Sequence, residues 1–194
     1  MIKVSILIPA YNQQELIVRC LDSIPDRDDV EVIVTDDGST DDTLRVISSY
    51  DRLKNLKIFS TVNHGVPGPA TNICIDNSSG EYIMYVDDDD YIYTDVFIDI
   101  LDNISKYNYY DIIKTLQEKN NGEKWISKWT YRGCLIKRSF LGDLRHNNSE
   151  SHDTAIMREL EKKNPKIIVF DKSALYHYNY PREGSIMWNR GFRG

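Results

Sequence analysis

No stretch of this chain stays apolar long enough to cross a bilayer; the longest runs, such as Val4–Ile8 and Glu81–Val86, are the length of buried strands. Cysteine is scarce and odd in number, with Cys20, Cys74 and Cys134 far apart and each inside an apolar pattern. That gives no disulfide framework and points to reduced core thiols and a cytoplasmic location, free or peripheral at the membrane. There is no basic excess either. Acidic groups outnumber basic ones by 30 to 24, a net charge of −6, so the chain as a whole has no pull toward nucleic acid or an anionic surface. Repeats, a linker and a low-complexity tail are all missing, and Met1 runs straight into a strand pattern, so we expect no signal sequence. What remains is 194 residues, 41% apolar and 28% charged, which suits one soluble domain with a sizeable core.

Along that chain, apolar runs and helical spacing alternate. "VSILI" (Val4–Ile8), ended by Pro9, reads as a buried parallel strand; Leu16, Ile17, Cys20, Leu21 and Ile24 then recur at helical spacing up to Pro25. "VEVIVT" is a second strand running into "DDGSTDD", where Ser39 or Thr40 can cap a helix with Asp41 and Asp42 in its first turn and Leu44 and Ile47 inward. "LKIFST" is a third strand, Pro69 opens a helix reaching Asn77, and "EYIMYV" (Glu81–Val86) is a fourth strand. Three strand–helix alternations in about ninety residues predict a doubly wound, mainly parallel α/β sheet. The second half is mixed and completes the same domain. It has a helix through Val96–Ile104, "YDIIKTL" and "KWISK" flanking an Asn121-Gly122 hairpin, a strand in "RGCLIKRSF", a helix over Thr154–Lys163, and strands "KIIVF" and "LYHYNY". Ligands of such sheets bind at the carboxyl ends of the strands. Pro9–Asn12, Asp36–Ser39, His64–Thr71 and Asp87–Asp90 therefore converge on one edge.

The acidic run "MYVDDDDYI" carries the sharpest signal. Four carboxylates in a row, each like-charged pair costing roughly 4 kcal/mol at 4 Å and an effective dielectric near 20, sit directly against apolar residues. An EF-hand does not fit, because its sixth position here is Ile92 and its twelfth Ile98. A solvated turn is one reading; a hard divalent cation completed by substrate phosphates is the other, and it removes the repulsion. "VTDDGSTDDT" is ordinary turn chemistry, or a carboxylate edge that accepts hydrogen bonds from a nucleotide's base imide or ribose.

Together "VSILIPAYNQQELIVRCLDSI", "VEVIVTDDGSTDDT", "NHGVPGPATN", "SGEYIMYVDDDDYI" and the later "HDTAIM" and "YHYNYPREGSI" resemble the family 2 glycosyltransferases of the GT-A fold. The resemblance runs in order over residues 2 to about 105 and resumes near 152–186. It implies a single GT-A domain over 1–194, with a nucleotide-sugar half (1–105) and an acceptor half (106–194). It also implies inverting transfer of the hexosyltransferase type from a uridine or thymidine diphosphate sugar, with Mn²⁺ or Mg²⁺. By that resemblance the backbone of Pro9, Ala10, Tyr11 and Asn12, with Asp37 or Asp36, holds the nucleoside. Asp87 and Asp89 form the D-x-D pair, Asp89 ahead of Asp87 as direct metal ligand; Asp88 fills the variable middle position on the nucleotide side, and Asp153 is the general base.

Two departures stand out. The family often has Arg where this chain has Thr71, which removes a cationic contact to the diphosphate, and His152 replaces the acidic neighbour of the base, with Glu150 as a fallback. His177 is either a third metal ligand or a packed histidine. Trp125, Trp129 and Tyr131, among Lys128, Arg132, Lys137 and Arg138, stack on an acceptor sugar or fill the core, and Arg182 and Ser185 lie in a tail that can close over the diphosphate. The expected acceptor is a cell-surface saccharide or lipid-linked hydroxyl, with a modified base in DNA as an outlier suggested by six Lys/Arg in 124–145. Rival classes are a nucleotidyltransferase, which would carry a Gly-rich basic loop that "PAYNQQE" does not offer, and a non-catalytic sugar-nucleotide binding module.

Overall fold

The computed structural model describes residues 1–127, 131–148 and 152–180, without the side chains of 152 and 153. In chain order the elements are β1 (Val4–Ala10), α1 (Ile17–Asp22), β2 (Val30–Asp36), α2 (Thr43–Ser48), β3 (Leu56–Ser60), α3 (Gly68–Asp76), β4 (Tyr82–Tyr85), β5 (Tyr91–Ile92) and α4 (Thr94–Asp102). A 3-10 turn over Ile104–Tyr107 leads to β6 (Ile112–Lys119), β7 (Lys124–Trp125), β8 (Leu135–Lys137), α5 (Arg138–Leu141), α6 (His152–Glu161) and β9 (Ile167–Tyr178).

Runs such as VSILI have no polar side to turn outward, so both faces of the strands must be covered. They are. Ile6 and Ile8 point into one core with Ile17, Leu21, Ile47, Phe97 and Ile100, from α1, α2 and α4. Leu7, Ile33 and Ile83 point into the other with Cys74, Ile75, Leu141, Ile156, Met157 and Leu160, from α3, α5 and α6. The strand order is β3-β2-β1-β4-β8-β6-β9-β5, with β7 paired to β6. β1, β2, β3 and β4 are mutually parallel; β8 is antiparallel to both β4 and β6, and β9 is parallel to β6. Both halves of the chain thus contribute to one continuous sheet. All three cysteines are free and buried. Burial pushes the Cys74 thiol up to about 12 and that of Cys134 to about 11, so neither ionises at neutral pH. No helix among the described residues is long and apolar enough to cross a membrane.

Some local expectations need correcting. The helix after β2 starts at Thr43, not beside Ser39 or Thr40, because those hydroxyls are engaged elsewhere: Ser39 Oγ accepts from Asn12 N (3.0 Å) and Thr40 Oγ1 from Asn12 Nδ2 (3.3 Å). Asp41 lies ahead of that helix and accepts from Thr43 N (2.9 Å) and Oγ1 (2.5 Å). The buried residues of α2 are Thr43 and Ile47, while Leu44 is exposed. The two expected C-terminal strands are one strand, β9. Pairing with β6 continues past "DKSA" through register shifts between Thr115 and Gln117, an irregularity that absorbs residues the sequence offers as a turn. The Asn121-Gly122 hairpin forms as expected, with Gly122 at φ +80 and Lys119 N donating to Glu123 O (2.9 Å).

At the edge opposite the strands' carboxyl ends, one carboxylate is buried inside the sheet. Glu31, 2% exposed, accepts from Ser5 Oγ (2.6 Å), Ser79 N (2.5 Å), Gly80 N (3.2 Å) and Lys57 Nζ (2.8 Å). Burial alone would raise its pKa; the bonds from Lys57, Ser5 and Ser79 outweigh burial and bring it down to about 2. A carboxylate depressed in the folded state contributes stability above its unfolded value near 4.5, and that contribution fades as pH falls toward about 2. Glu31→Gln is expected to cost about 2–3 kcal/mol at pH 7, the range for hydrogen bonds to a buried charge. Denaturant melts from pH 7 to pH 3 should show that gap shrinking below pH 4.5; a gap independent of pH would remove the ionised network from the account.

Candidate active site

The crevice forms where β1 and β4 part. β1 pairs with β4 only over Val4–Leu7, but with β2 up to Ala10 opposite Asp36. Pro9 therefore stands where one neighbour has already left, a position that tolerates its missing N–H. Since β2 and β4 lie on opposite sides of β1, the chain's direction of travel reverses here, and the carboxyl ends beside such a switch point are where open α/β sheets bind ligands.

One wall is the turn after β1. Ala10 O accepts from Asp37 N (2.8 Å), and Tyr11 N donates to Asp88 Oδ2 (2.8 Å). Asn12 adopts φ +53, a left-handed conformation that Asn tolerates better than most residues, and its Oδ1 accepts from Thr40 N (2.8 Å). The second wall follows β2. Asp36 and Asp37 are both buried. Ser39 N donates to Asp36 Oδ2 (3.3 Å), while Asp36 Oδ1 is buried with no partner in the protein among the described residues. Burial raises the Asp37 pKa, and the hydrogen bond to His64 Nδ1 (3.2 Å) partly opposes the rise.

The floor is the acidic turn between β4 and β5, closed by Asp90 N donating to Asp87 O (3.1 Å). Its four carboxylates have different surroundings. Asp88 accepts from Tyr11 N, and burial followed by the Asp89 charge raises its pKa well above the usual range. Asp90 is fully buried, accepting from Tyr176 Oη (2.5 Å) and Asn179 N (2.7 Å); burial and the charges of Asp87 and Asp89 raise it too. Asp87 pairs with Arg132, whose guanidinium carbon lies 5.8 Å from the Tyr178 ring centroid. The Asp89 main-chain carbonyl accepts from Arg19 Nη2 (2.7 Å). Asp87, Asp89 and Asp90 each offer an oxygen within 4.8 Å of the others, the spacing of ligands around one cation.

The nucleotide-side residues Pro9, Ala10, Tyr11, Asn12, Asp36, Asp37 and Asp88 thus come together with Asp87 and Asp89. Thr71, also expected on the nucleotide side, lies in the first turn of α3. It is buried within α3, where its Oγ1 donates to Pro67 O (2.8 Å). His177 lies on β9 opposite Tyr91, stacked on that ring at 4.2 Å and 9°, and among the described residues it is not in the close carboxylate group. Burial and the Arg19 charge lower its pKa, so it sits there neutral near pH 7. Asp153 is the second residue of α6 and its side chain lies outside the described residues, as do Glu150, Lys128, Trp129, Arg182 and Ser185. Tyr176, Asn179 and the pairing of Arg132 with Asp87 escape sequence reading, since nothing in "YHYNY" or "YRG" signals proximity to residues some ninety and forty-five positions earlier.

A mainly parallel sheet in this order, with an acidic turn closing the crevice at its switch point, is the architecture of the GT-A fold. The description of glycosyl transferase family 2 matches residues 5–163, and the chain belongs to that family. It is 41% identical over 116 residues to the poly(ribitol-phosphate) beta-glucosyltransferase of Bacillus spizizenii, covering 57% of this chain and 18% of that protein. It is 41% identical over 106 residues to the chondroitin synthase of Escherichia coli, covering 53% and 15%. Among solved structures, S. aureus TarS 1–349 in complex with UDP-GlcNAc superposes with a TM-score of 0.84 at 25% identity, over 96% of this chain and 61% of that one. The mannosyltransferase PcManGT from Pyrobaculum calidifontis, in complex with GDP-Man and Mn²⁺, reaches 0.71 at 18% identity over 96% and 59%, a likeness of fold. The chain spans less than a fifth of these curated relatives' length and about three fifths of the solved chains.

Gly38 sets the second wall's shape. It has φ +69, and a Cβ there would meet Asn63 N at 2.6 Å and Thr61 O at 3.2 Å. Gly38→Ala combines a left-handed backbone cost of about 1–2 kcal/mol with displacement of the 61–63 strand exit. A thermal melt is expected to show a fall of about 4 °C or more; an unchanged midpoint would mean that the 61–63 backbone gives way freely.

Proposed function

We propose that this domain transfers a sugar, with inversion, from a nucleoside-diphosphate sugar to an acceptor hydroxyl, the donor being a UDP-sugar. The observation that carries this reading is the group formed by Asp87, Asp89 and Asp90 at the mouth of the β1/β4 crevice. The donor set fits a hard divalent cation, Mn²⁺ or Mg²⁺, because three carboxylate oxygens converge and their mutual repulsion falls once a dication is present. Asp89 would be the direct ligand, with Asp87 beside it; both Asp90 oxygens already accept hydrogen bonds, which suits holding the turn. Held by Asp89 and Asp87, such a cation would supply charge neutralisation for the departing diphosphate. The buried Asp36 Oδ1, without a partner among the described residues, and the neighbouring Asp37 suit N–H and O–H donors of a nucleoside, next to the backbone of Pro9–Asn12. Similarity to a structure bearing UDP-GlcNAc supports uridine as the base.

The acceptor oxygen attacks the anomeric carbon from the face opposite the diphosphate, the sugar–phosphate bond breaks, and the hydroxyl proton passes to Asp153. Support for Asp153 comes from its place in the family's motif at the start of α6, inside the matched span. The acceptor is a saccharide, lipid-linked or polyol-phosphate hydroxyl; two relatives carry poly(ribitol-phosphate) in their names. Catalysis at a membrane surface and the single-domain organisation over 1–194 belong to this same reading.

Release of UDP from a panel of UDP-sugars with Mn²⁺ or Mg²⁺ tests the class of reaction. Asp89→Asn is expected to abolish the metal-dependent part of UDP affinity in calorimetry, because a neutral amide cannot balance a dication; unchanged affinity would end the assignment. Asp153→Asn should lower turnover by about 10²–10⁴-fold, the usual contribution of a general base, while UDP and metal affinity hold. Full activity in that variant would move the base to Glu150. Metal-dependent UDP binding without transfer to any acceptor would favour the binding-module reading.

A further inference from the structure

We propose that Tyr176 is the positioning residue of the acidic turn, holding Asp87 and Asp89 at ligand spacing through a hydroxyl that ties both ends of the turn together. The inference rests on the reading of that turn as a cation and diphosphate site. The Tyr176 hydroxyl donates to Asp90 Oδ2 (2.5 Å) and accepts from Asp87 N (3.1 Å), so one oxygen bonds the first and last residues of the tetrad. The other Asp90 oxygen takes Asn179 N (2.7 Å), three residues further along the same chain segment.

Tyr176 cannot easily move. It is fully buried on β9, in register with Ile92 on one side and Gln117 on the other. Gly133, at φ +68, backs onto it so closely that a Cβ would lie 2.6 Å from Tyr176 Cβ and 2.9 Å from its ring. Gly133 is itself held, its N–H on Tyr85 O (3.1 Å) and its carbonyl accepting from Thr115 Oγ1 (2.6 Å). The phenol therefore has a fixed pivot and a single useful direction. A four-residue turn of like charges left to itself would splay, since each carboxylate moves away from its neighbours at little cost. Bridging its two ends fixes the backbone, and with it the oxygens of Asp87 and Asp89. This is the role of groups that orient metal ligands without touching the ion.

Tyr176→Phe removes one oxygen and leaves the ring. Calorimetry of UDP binding is run with and without Mn²⁺ on the full chain, for wild type and Tyr176→Phe. The expected result is a loss of about 10-fold or more in the metal-dependent gain of UDP affinity for Tyr176→Phe, with metal-free UDP affinity unchanged. Mn²⁺ binding without nucleotide, followed by electron paramagnetic resonance, should weaken in parallel. A wild-type metal-dependent gain in Tyr176→Phe would overturn the role of Tyr176 alone, as would an equal loss with and without metal. Unfolding of Tyr176→Phe would overturn it too, by assigning the hydroxyl to the stability of the whole fold. Absence of any metal-dependent gain in wild type would overturn this inference together with the reading beneath it.

Discussion

Four carboxylates packed into one turn are the constraint around which the rest of this fold is arranged. Left in water they would separate; held against β4 and β5 they cannot, and repulsion on the order of several kcal/mol must be met locally. The fold meets it by sending three of the four acids to different partners. Asp88 takes the backbone of the turn after β1, Asp90 takes the end of β9, and Asp87 takes Arg132 from the segment before β8. Residues from three distant stretches of chain are thereby drawn to the mouth of the crevice between β1 and β4.

The opposite edge of the sheet shows what a buried carboxylate looks like when its environment is complete. Glu31 has a lysine, two serine hydroxyls and two backbone N–H groups, and its pKa is pulled down to about 2 despite burial. At the carboxyl edge the directions reverse: Asp37, Asp88 and Asp90 are all raised, because burial and neighbouring acids outweigh the donors they have. The contrast separates structure from function within one layer. Glu31, amply supplied with donors, helps hold the protein together, whereas at the carboxyl edge burial and neighbouring acids dominate.

Much of this was legible in the sequence because the governing signals are local. Unbroken runs such as VSILI and VEVIVT require a sheet covered on both faces, and the helices between them fix its winding. From that winding alone, Pro9–Asn12, Asp36–Asp37 and Asp87–Asp90 fall at one edge. What escaped was whatever depends on partners distant in the chain. Ser39 and Thr40 read as helix caps, yet Asn12 claims them from another loop. Leu44 reads as an inward residue because helical spacing says so, but α2 begins late and turns Thr43 inward instead. The "DKSA" interval reads as a break between strands, and pairing with β6 carries it through.

The bond between Asp90 and the end of β9 has a consequence for how the molecule comes into being. Eighty-nine residues separate Asp90 from Asn179, and eighty-six separate it from Tyr176. During synthesis the whole parallel half can emerge and begin to pack while its acidic turn still lacks those partners. A buried carboxyl without them is costly enough to keep the turn open. The last strand among the described residues is therefore the one that supplies those partners, and the turn is complete only after β9 has docked.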